Sequence, residues 1–292
     1  MTAFISDALK ASGIFQSDGR AVLLAADHPY FGVVSGIEDS EAVLLPLFGY
    51  ADALMVAPGT FTKYPKLRAA VLAKGTPVIL RASGCVSTLS TEEDAMAKER
   101  LILTAERAKR LGASAVAVSV YVGTKYEDQT LHNLVTMAEQ AEKAGIAVLG
   151  VVAVGKRLEG VEHNPEANAD FLIRASRIAV EHGADFVKTY YCGSAFPGLV
   201  KACPVPVVVA GGKAPKENPT RSTLELAGNA LAAGGSGIDF GRRVWRHQQP
   251  VAIAQALRAV VHERVEPAAA LAKFGLTDQP GRLDSAKQAA KG

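Results

Sequence analysis

Long apolar runs are missing from this chain, and aromatic side chains are scarce, at 6% of its 292 residues. No apolar stretch approaches the ~18 residues of a membrane span. The amino-terminal segment also lacks the charged region and long apolar stretch of a signal peptide. We therefore expect a cytoplasmic protein that does not interact with membranes. Alanine, valine and glycine are plentiful instead, a mixture typical of buried parallel strands covered by alanine-rich helices.

Cysteine and clustered positive charge are also limited. The three cysteines, Cys85, Cys192 and Cys203, have neither C-x-x-C spacing nor the pattern of a disulfide framework, so we expect structural thiols in a reducing compartment. The formal net charge is +3 without a dense block of lysine or arginine, which argues against a nucleic-acid partner. This balance is compatible with a phosphorylated small substrate but does not require one.

Short apolar runs alternate with longer amphipathic stretches along the chain. Runs that are apolar throughout, such as 115–120 and 205–209, are typical of strands buried on both faces. Repeated strand–helix units force parallel pairing with right-handed crossovers, and eight of them close into a barrel. The eight predicted strands are residues 21–26, 53–57, 77–82, 115–121, 147–154, 185–190, 205–210 and 236–240.

Four of the predicted helices end at a glycine, which allows a left-handed cap. They cover residues 90–111, 130–144, 168–182 and 223–233, and the first begins at Ser90 with three acids close behind it. We expect one α/β domain over residues 1–276, a (β/α)8 TIM barrel, and a loose polar tail over 277–292. The alternative is a doubly wound open sheet, but the turn after the first strand, Asp27–Gly32, lacks the G-x-G-x-x-G fingerprint.

Lys188 lies near the end of the sixth predicted strand, in the largely apolar run 184–188. Catalytic groups of such barrels lie at the carboxyl ends of the strands. Burial disfavours the ammonium form of lysine, and a neutral amine can attack a carbonyl to form an imine that withdraws electrons. The alternative is a lysine whose amine escapes to solvent at the strand end. The residues alone leave both interpretations open.

Glycines follow the seventh and eighth strands, where such barrels bind phosphate. Gly211, Gly212 and Gly241 present backbone N–H groups without side chains in the way, and Arg242 adds a positive charge. The alternative interpretation is two ordinary tight turns.

Other polar residues also follow the strands. Asp27 is a candidate acid/base, or it caps the following loop. Tyr121 and Tyr190 are candidate proton donors or cavity-lining residues. No second ligand follows His28 at metal-binding spacing, so we expect no metal. By the same reasoning the predicted substrate pocket contains His28, Arg81, Ser83 and Tyr190.

Several segments of the chain, including those that contain the residues above, resemble the class I aldolase family that includes DeoC and FbaB. The resemblance is strongest to the thiolase branch of that family, which acts in autoinducer-2 processing. They run in order through nearly the whole predicted barrel. The matching segments are 27–31, 81–84, 120–123, 126–127, 154–156, 188–191, 203–206, 210–213 and 235–242.

The resemblance implies a TIM barrel with Lys188 as the Schiff-base lysine and Asp27 in the active site. It implies a phosphate bound by Gly211, Gly212, Gly241 and Arg242, and a ring-built homo-oligomer, often a decamer. The implied activity is acetyl transfer from 3-hydroxy-5-phosphonooxypentane-2,4-dione to coenzyme A, which would be a co-substrate and not a bound cofactor.

The chain departs from the family pattern at two places. Asp27-His28-Pro29 stands where Asp-His-Gly is usual, so this loop is stiffer and lacks one N–H. At the end of strand five, Ala153-Val154-Gly155-Lys156 replaces the Tyr-Pro-Arg-Gly of fructose-bisphosphate aldolases, whose tyrosine is the general acid/base. We expect Asp27, with Tyr121 or Lys156, to transfer protons instead.

The missing tyrosine favours the thiolase over the two alternatives. One alternative is a class I fructose-bisphosphate or related phospho-sugar aldolase. The other is a non-catalytic barrel that binds a phosphosugar, which does not account for a lysine buried at a strand end.

Overall fold

Eight parallel strands close into a barrel in the computed structural model, which describes residues 3–32, 35–153 and 164–278. Around the barrel the order is β1, β2, β3, β6, β7, β8, β9 and β10, and β10 pairs with β1 again. The predicted (β/α)8 barrel is confirmed. The strands are β1 Ala21–Ala26, β2 Ala53–Val56, β3 Val78–Arg81, β4 Ser83–Gly84, β5 Arg100–Leu101, β6 Ala115–Val120, β7 Ala147–Val152, β8 Phe186–Thr189, β9 Val207–Ala210 and β10 Gly237–Phe240.

Helices cover the outside of the barrel and close its amino-terminal end. They are α1 Asp7–Ala11, α2 Ser40–Leu44, α3 Pro58–Lys63, α4 Pro65–Lys74, α5 Ala105–Leu111, α6 Glu127–Ala144, α7 Ala169–Glu181, α8 Phe196–Ala202, α9 Pro219–Ala232, α10 Arg242–Trp245, α11 Pro250–His262 and α12 Pro267–Lys273. Within the described residues, none of these helices has the length and apolarity to cross a membrane.

Each predicted strand run contains one barrel strand, although most are shorter than the run. The seventh run, 205–210, begins with Val205 and Pro206, and the strand itself starts only at Val207. Proline has no N–H to donate to the ladder, so apolar character extends further along the chain than the strand does.

The predicted helix 90–111 is wrong over residues 90–104. Only Ala105–Leu111 is α-helical, and Thr104 caps it by accepting a hydrogen bond from the Arg107 amide at 3.2 Å. Asp94 has a left-handed backbone with φ 55°, which interrupts any helix there. The chain then forms β5, which pairs antiparallel with β4 beside the carboxyl end of β3.

The other three predicted helices exist with shifted starts. They begin at Glu127, Ala169 and Pro219, while the predicted starts were residues 130, 168 and 223. The glycine caps are confirmed for α5 and α6, where Gly112 and Gly145 have φ of 95° and 64°. In α7 and α9 the caps are His182 and Ala233, and the predicted glycines follow them with positive φ.

The core has two layers. Inside the barrel, Leu23, Met55 and Phe186 pack on Leu9 and Ile14, which close the amino-terminal end. A larger layer fills the space between the strands and the helices. Because apolar side chains fill the lower barrel, the interior polar groups are concentrated at the carboxyl ends of the strands.

The beginning of the predicted loose tail is attached to the barrel. Thr277 accepts a hydrogen bond from the Thr220 hydroxyl at 2.8 Å, and Asp278 accepts one from the Arg221 amide at 2.8 Å. The rest of that segment, 279–292, lies outside the described residues.

Candidate active site

A cavity of about 230 Å³ opens at the carboxyl ends of the barrel strands. Most of the predicted site residues lie in its wall: Lys188, Asp27, Tyr121, Gly211, Gly212, Gly241, Arg242, His28, Arg81 and Tyr190. The predicted residue Lys156 lies outside the described part of the chain. These predicted residues come from the ends of six strands that are far apart in the chain, and the barrel places them in one cavity wall.

Lys188 reaches into the cavity from β8 and meets a carboxylate that the sequence analysis did not assign. Its Nζ lies 2.8 Å from Oδ2 of Asp239 on β10, and the two side chains are 14% and 0% exposed. Burial raises the pKa of Asp239, and the positive charge of Lys188 opposes this rise without cancelling it. The amine does not escape to solvent, so that alternative is not supported.

Asp27 follows β1 and is bound to Arg81 from the end of β3. The Arg81 Nε donates to Asp27 Oδ2 at 2.5 Å, and both side chains are buried. Burial opposes ionisation of Asp27, but the charges of Arg81, Lys188 and His28 outweigh it and hold the pKa below its ordinary value. Asp27 is therefore a carboxylate that stays ionised at neutral pH.

Glu99 is a buried carboxyl group behind the cavity. It follows a short 3-10 helix at Ala95–Ala97. It accepts a hydrogen bond from the Ser83 hydroxyl and one from the Tyr121 hydroxyl at 3.4 Å, and it lies 3.9 Å from Arg81. Burial raises its pKa despite the nearby guanidinium. Glu99 was not among the predicted site residues, because it fell inside the predicted helix 90–111 on the surface.

Ser83 requires a correction, because it does not line the cavity. It is fully buried, its hydroxyl donates to Glu99, and it accepts a hydrogen bond from the Ser119 amide at 2.9 Å. Ser119 in turn accepts from Arg81 Nη1 at 2.6 Å. Ser83 thus supports Arg81 through Ser119, and its hydroxyl is occupied by Glu99 and the Ser119 amide.

Tyr121 lies between the cavity and Glu99. Its side chain is 4% exposed, and burial together with the Glu99 carboxyl raises the pKa of its phenol well above the ordinary value. The hydroxyl is therefore a neutral hydrogen-bond donor in the resting site. Tyr190 lies in the wall as well.

The two glycine loops lie together at one side of the cavity. A side chain at Gly241 would collide with the backbone carbonyl of Ala25, so the close approach of these segments requires glycine. Arg243 supports the neighbouring loop by donating to the carbonyl oxygen of Gly211 and, at 3.1 Å, to Thr223. Burial lowers the Arg243 pKa to about 10, assisted by the adjacent Arg242 charge.

His28 is partly buried at the cavity wall. Burial lowers its pKa, and the positive charges of Arg242, Lys188 and Arg246 add to this effect against the attraction of Asp27. Its imidazole is therefore neutral at pH 7. Within the described residues, no group of three His, Cys, Asp or Glu side chains is arranged to hold a metal ion.

None of the three cysteines is among the described residues that line the cavity. Cys85 is exposed, whereas Cys192 and Cys203 are buried, and all three are free thiols. Burial raises the pKa of Cys203 to about 11, so its thiol is inert at neutral pH.

Comparisons with known proteins agree with this geometry. The model of the DeoC/LacD family of aldolases matches residues 33–247. The 3-hydroxy-5-phosphonooxypentane-2,4-dione thiolases of Yersinia pseudotuberculosis and Yersinia pestis are 38% identical to this chain over 257 residues, which cover 87% of the chain and 81% of each relative.

Solved structures are similar over most of the barrel. An archaeal fructose 1,6-bisphosphate aldolase aligns with a TM-score of 0.74 and 28% identity, covering 88% of this chain and all of that one. The fructose-bisphosphate aldolase of Slackia heliotrinireducens has the same TM-score at 19% identity, covering 93% of this chain and 92% of its own, and that likeness concerns the fold.

Proposed function

Because the chain belongs to the DeoC/LacD family of aldolases and is an enzyme of that family, we propose that it transfers an acetyl group from 3-hydroxy-5-phosphonooxypentane-2,4-dione to coenzyme A. The reaction proceeds through a Schiff base on Lys188. The observation that carries this proposal is the Lys188 amine, held inside the cavity 2.8 Å from a buried carboxylate. Relatives that are 38% identical over most of both chains have the same named activity.

The substrate phosphate binds at the glycine loops. Backbone N–H groups of Gly211, Gly212 and Gly241 and the guanidinium of Arg242 are the groups we assign to it, because charge-assisted hydrogen bonds suit phosphate oxygens. This anchor lies in the same cavity wall as Lys188. A phosphate held there presents the adjoining ketone to the amine.

Covalent chemistry then follows in four steps. The Lys188 amine adds to the ketone next to the phosphate-bearing carbon, and water leaves to give an iminium. The thiolate of coenzyme A adds to the acetyl carbonyl, and its tetrahedral adduct breaks the C–C bond. The electron pair of that bond moves to the iminium and gives an enamine. A proton is added to the enamine carbon, and water releases a three-carbon phosphorylated hydroxyketone and free Lys188.

Several side chains assist these steps. The permanent charge of Asp27 stabilises the cationic iminium. Tyr121 donates a hydrogen bond, with Glu99 able to return a proton to the phenol. His28, Arg81 and Tyr190 shape the substrate pocket, and Lys156 stays a proposed proton carrier.

Coenzyme A enters as a co-substrate, and no bound cofactor takes part in the proposal. A homo-oligomer, a decamer by resemblance to the family, is also proposed, and light scattering of the purified protein tests it.

The test is borohydride reduction in the presence of the phosphorylated pentanedione, followed by peptide mass analysis. We expect a mass gain on the peptide containing Lys188, and acetyl-coenzyme A when coenzyme A is added instead of borohydride. Lys188→Met should abolish both, whereas Lys201→Met, which changes an exposed lysine of α8, should keep both. Acetyl-coenzyme A formation by Lys188→Met would refute the proposed mechanism.

A second candidate is cleavage of a phospho-sugar by a class I aldolase. The 28% identity with an archaeal fructose 1,6-bisphosphate aldolase favours it. Against it, Ala153 lies in the cavity wall at the end of β7, where the family's sugar aldolases have their tyrosine. Parallel assays with fructose 1,6-bisphosphate and the pentanedione separate the two candidates.

A further inference from the structure

We propose that Asp239 is the catalytic acid/base for imine formation: it accepts a proton from Lys188 and returns protons to the substrate oxygen that departs as water. This inference rests on the proposed Schiff-base function and assigns the proton transfers that begin it.

Asp239 and Lys188 reach the same point from strands on either side of β9. Lys188 is paired in register with Val208 of β9, and Asp239 with Ala210. Their side chains meet inside the barrel, with Nζ 2.8 Å from Oδ2. Among the described residues, Oδ1 of Asp239 has no hydrogen-bond partner and is fully buried. Oδ2 of Asp239 therefore contacts the Lys188 amine, while Oδ1 accepts no hydrogen bond from a described side chain.

The other carboxylate that the structure describes in the cavity wall, Asp27, is unsuited to this task. Asp27 is bound at 2.5 Å to Arg81, and a guanidinium does not give up its proton in proteins. The partner of Asp239 is the Lys188 amine, which, unlike a guanidinium, is a group that can exchange a proton. Of these two neighbouring ion pairs, only Asp239–Lys188 can become neutral by moving a single proton.

The surroundings of Asp239 act on the pKa of its carboxyl in opposite directions. Among the described residues, Lys188 on β8, Asp27 after β1 and Arg81 on β3 are charged groups that act on Asp239. Burial raises the pKa of Asp239, the negative charge of Asp27 raises it further, and Lys188 and Arg81 oppose the rise. Since Asp27 is bound to Arg81, we assign the exchangeable proton to the pair of Asp239 and Lys188.

The proton transfers balance through the whole sequence. Lys188 gives one proton to Asp239 and becomes a neutral amine. Its lone pair attacks the ketone carbon, and the oxygen that receives the π electrons takes the proton from Asp239. The new C–N bond leaves a positive nitrogen, which returns a proton to Asp239. The nitrogen lone pair then expels the hydroxyl, which takes that proton and departs as water.

The result is an iminium paired with the Asp239 carboxylate. The nitrogen and the departing oxygen are bonded to one carbon, so the two oxygens of a single carboxylate can serve both atoms. Each proton that leaves the nitrogen is held by Asp239 until the substrate oxygen takes it. A carboxylate bound to arginine cannot carry protons in this way, because the guanidinium keeps its own.

The experiment measures the rate of imine trapping by borohydride with the phosphorylated pentanedione, without coenzyme A, across pH 5 to 9. Asp239→Asn keeps the shape of the side chain and removes its proton acceptor. We expect its trapping rate to fall about 10²- to 10⁴-fold, the usual contribution of a general acid/base, and its pH profile to lose the limb that depends on the carboxylate. Asp239→Glu should recover part of the rate and remain at least about fivefold slower than the unchanged protein.

Asp52→Asn is the matched control, because it removes a buried carboxylate at the opposite end of the barrel. Its trapping rate should stay within about twofold of the unchanged protein. An Asp239→Asn rate within threefold of the unchanged protein, with the same pH profile, would overturn the inference and leave the proposed function standing. If circular dichroism shows that Asp239→Asn does not fold, an unchanged rate and profile for Asp239→Glu would overturn it equally. Absence of trapping in the unchanged protein would overturn both proposals.

Discussion

At the scale of single residues, the ion pairs Arg81–Asp27 and Lys188–Asp239 differ in the state of the carboxyl group that is left when the cation is removed. Arg81→Met leaves Asp27 buried as an anion, so we expect a loss of about 3–5 kcal/mol in the free energy of unfolding. Lys188→Met leaves Asp239, whose pKa burial already raises, so this carboxyl can take up a proton. The free energy of unfolding that Lys188→Met loses should therefore be smaller than that lost by Arg81→Met, by at least about 1 kcal/mol.

Urea unfolding of both variants at pH 7 measures this difference. Methionine replaces an unbranched side chain of similar length in each case, so the cavity terms are comparable. An equal loss for the two variants would contradict the assignment of Asp27 as permanently ionised and of Asp239 as the exchangeable carboxyl.

Gly241 is the residue on which the phosphate assignment can be tested most sharply. Gly241→Ala would push a methyl group against the backbone carbonyl of Ala25 and displace the loop. We expect the KM of the phosphorylated substrate to rise at least about tenfold, equivalent to roughly 1.4 kcal/mol of binding. Gly59→Ala is the control, because no atom lies within 4 Å of the added carbon in α3 and an alanine there stabilises by about 0.4–1 kcal/mol. A KM that is unchanged in Gly241→Ala would remove this glycine from the phosphate site.

Which site residues were predictable depends on what defines them. Lys188 and the glycines were found because strand ends and unusual residue types are visible locally. Asp239 was visible as a polar residue near a strand end, but its partner on β8 is set by the curvature of the closed barrel. Glu99 lies behind the cavity only because its loop returns beside β3 through the pairing of β4 and β5. No local sequence pattern indicates this long-range pairing.

At the scale of elements, the segment between β4 and α5 is where local signals failed. Ser90 and the acids that follow it satisfy the rules for a helix start, yet Asp94 takes a left-handed conformation. The amide of Ile102 donates to the carbonyl oxygen of Ala82 at 2.9 Å. Pairing with β4 thus overrides propensity and places Glu99 behind the cavity.

Two threonine and serine variants test which residue begins the helix. Thr104→Ala removes the cap of α5, so we expect a loss of about 1 kcal/mol in the free energy of unfolding. Ser90→Ala removes only a hydroxyl that accepts from the Glu92 amide at 3.3 Å in an exposed loop, so its effect should stay within about 0.5 kcal/mol. Urea melts of both proteins provide the comparison, and a larger loss from Ser90→Ala would favour the longer helix.

At the scale of the whole molecule, the barrel separates chemistry from stability. The carboxyl ends of the strands hold the ionisable groups of the cavity, and the amino-terminal end is closed by apolar side chains. This division was predictable, because a barrel of eight parallel strands places its loops for catalysis at one end. Variants at the closed end should therefore change stability without changing the rate of imine trapping.

His262 provides the pH test of that closed end. Its Nδ1 lies 2.8 Å from Asp18 and its Nε2 lies 2.8 Å from Asp52, while Arg258 binds Asp52 at 2.6 Å. An imidazole between two carboxylates donates from both nitrogens only when it is protonated. Burial opposes the charge, but the hydrogen bonds to Asp52 and Asp18 raise the pKa of His262 above its ordinary 6.5. This cluster joins the end of α11 to the segments that precede β1 and β2.

The sign of the pH dependence follows from that direction. A group with a raised pKa in the folded state binds its proton more tightly there, so its stabilisation is complete below pH 6.5 and is lost as the pH rises through the folded value. The pKa values of Asp18 and Asp52 are lowered because these hydrogen bonds outweigh burial, so their contribution is lost only in acid. His262→Gln should therefore cost more at pH 6 than at pH 8.5, by about 1 kcal/mol for the charged hydrogen bonds. Urea unfolding at both pH values, with exposed His132→Gln as the control, measures the difference, and equal costs at the two pH values would show that His262 is neutral in the folded protein.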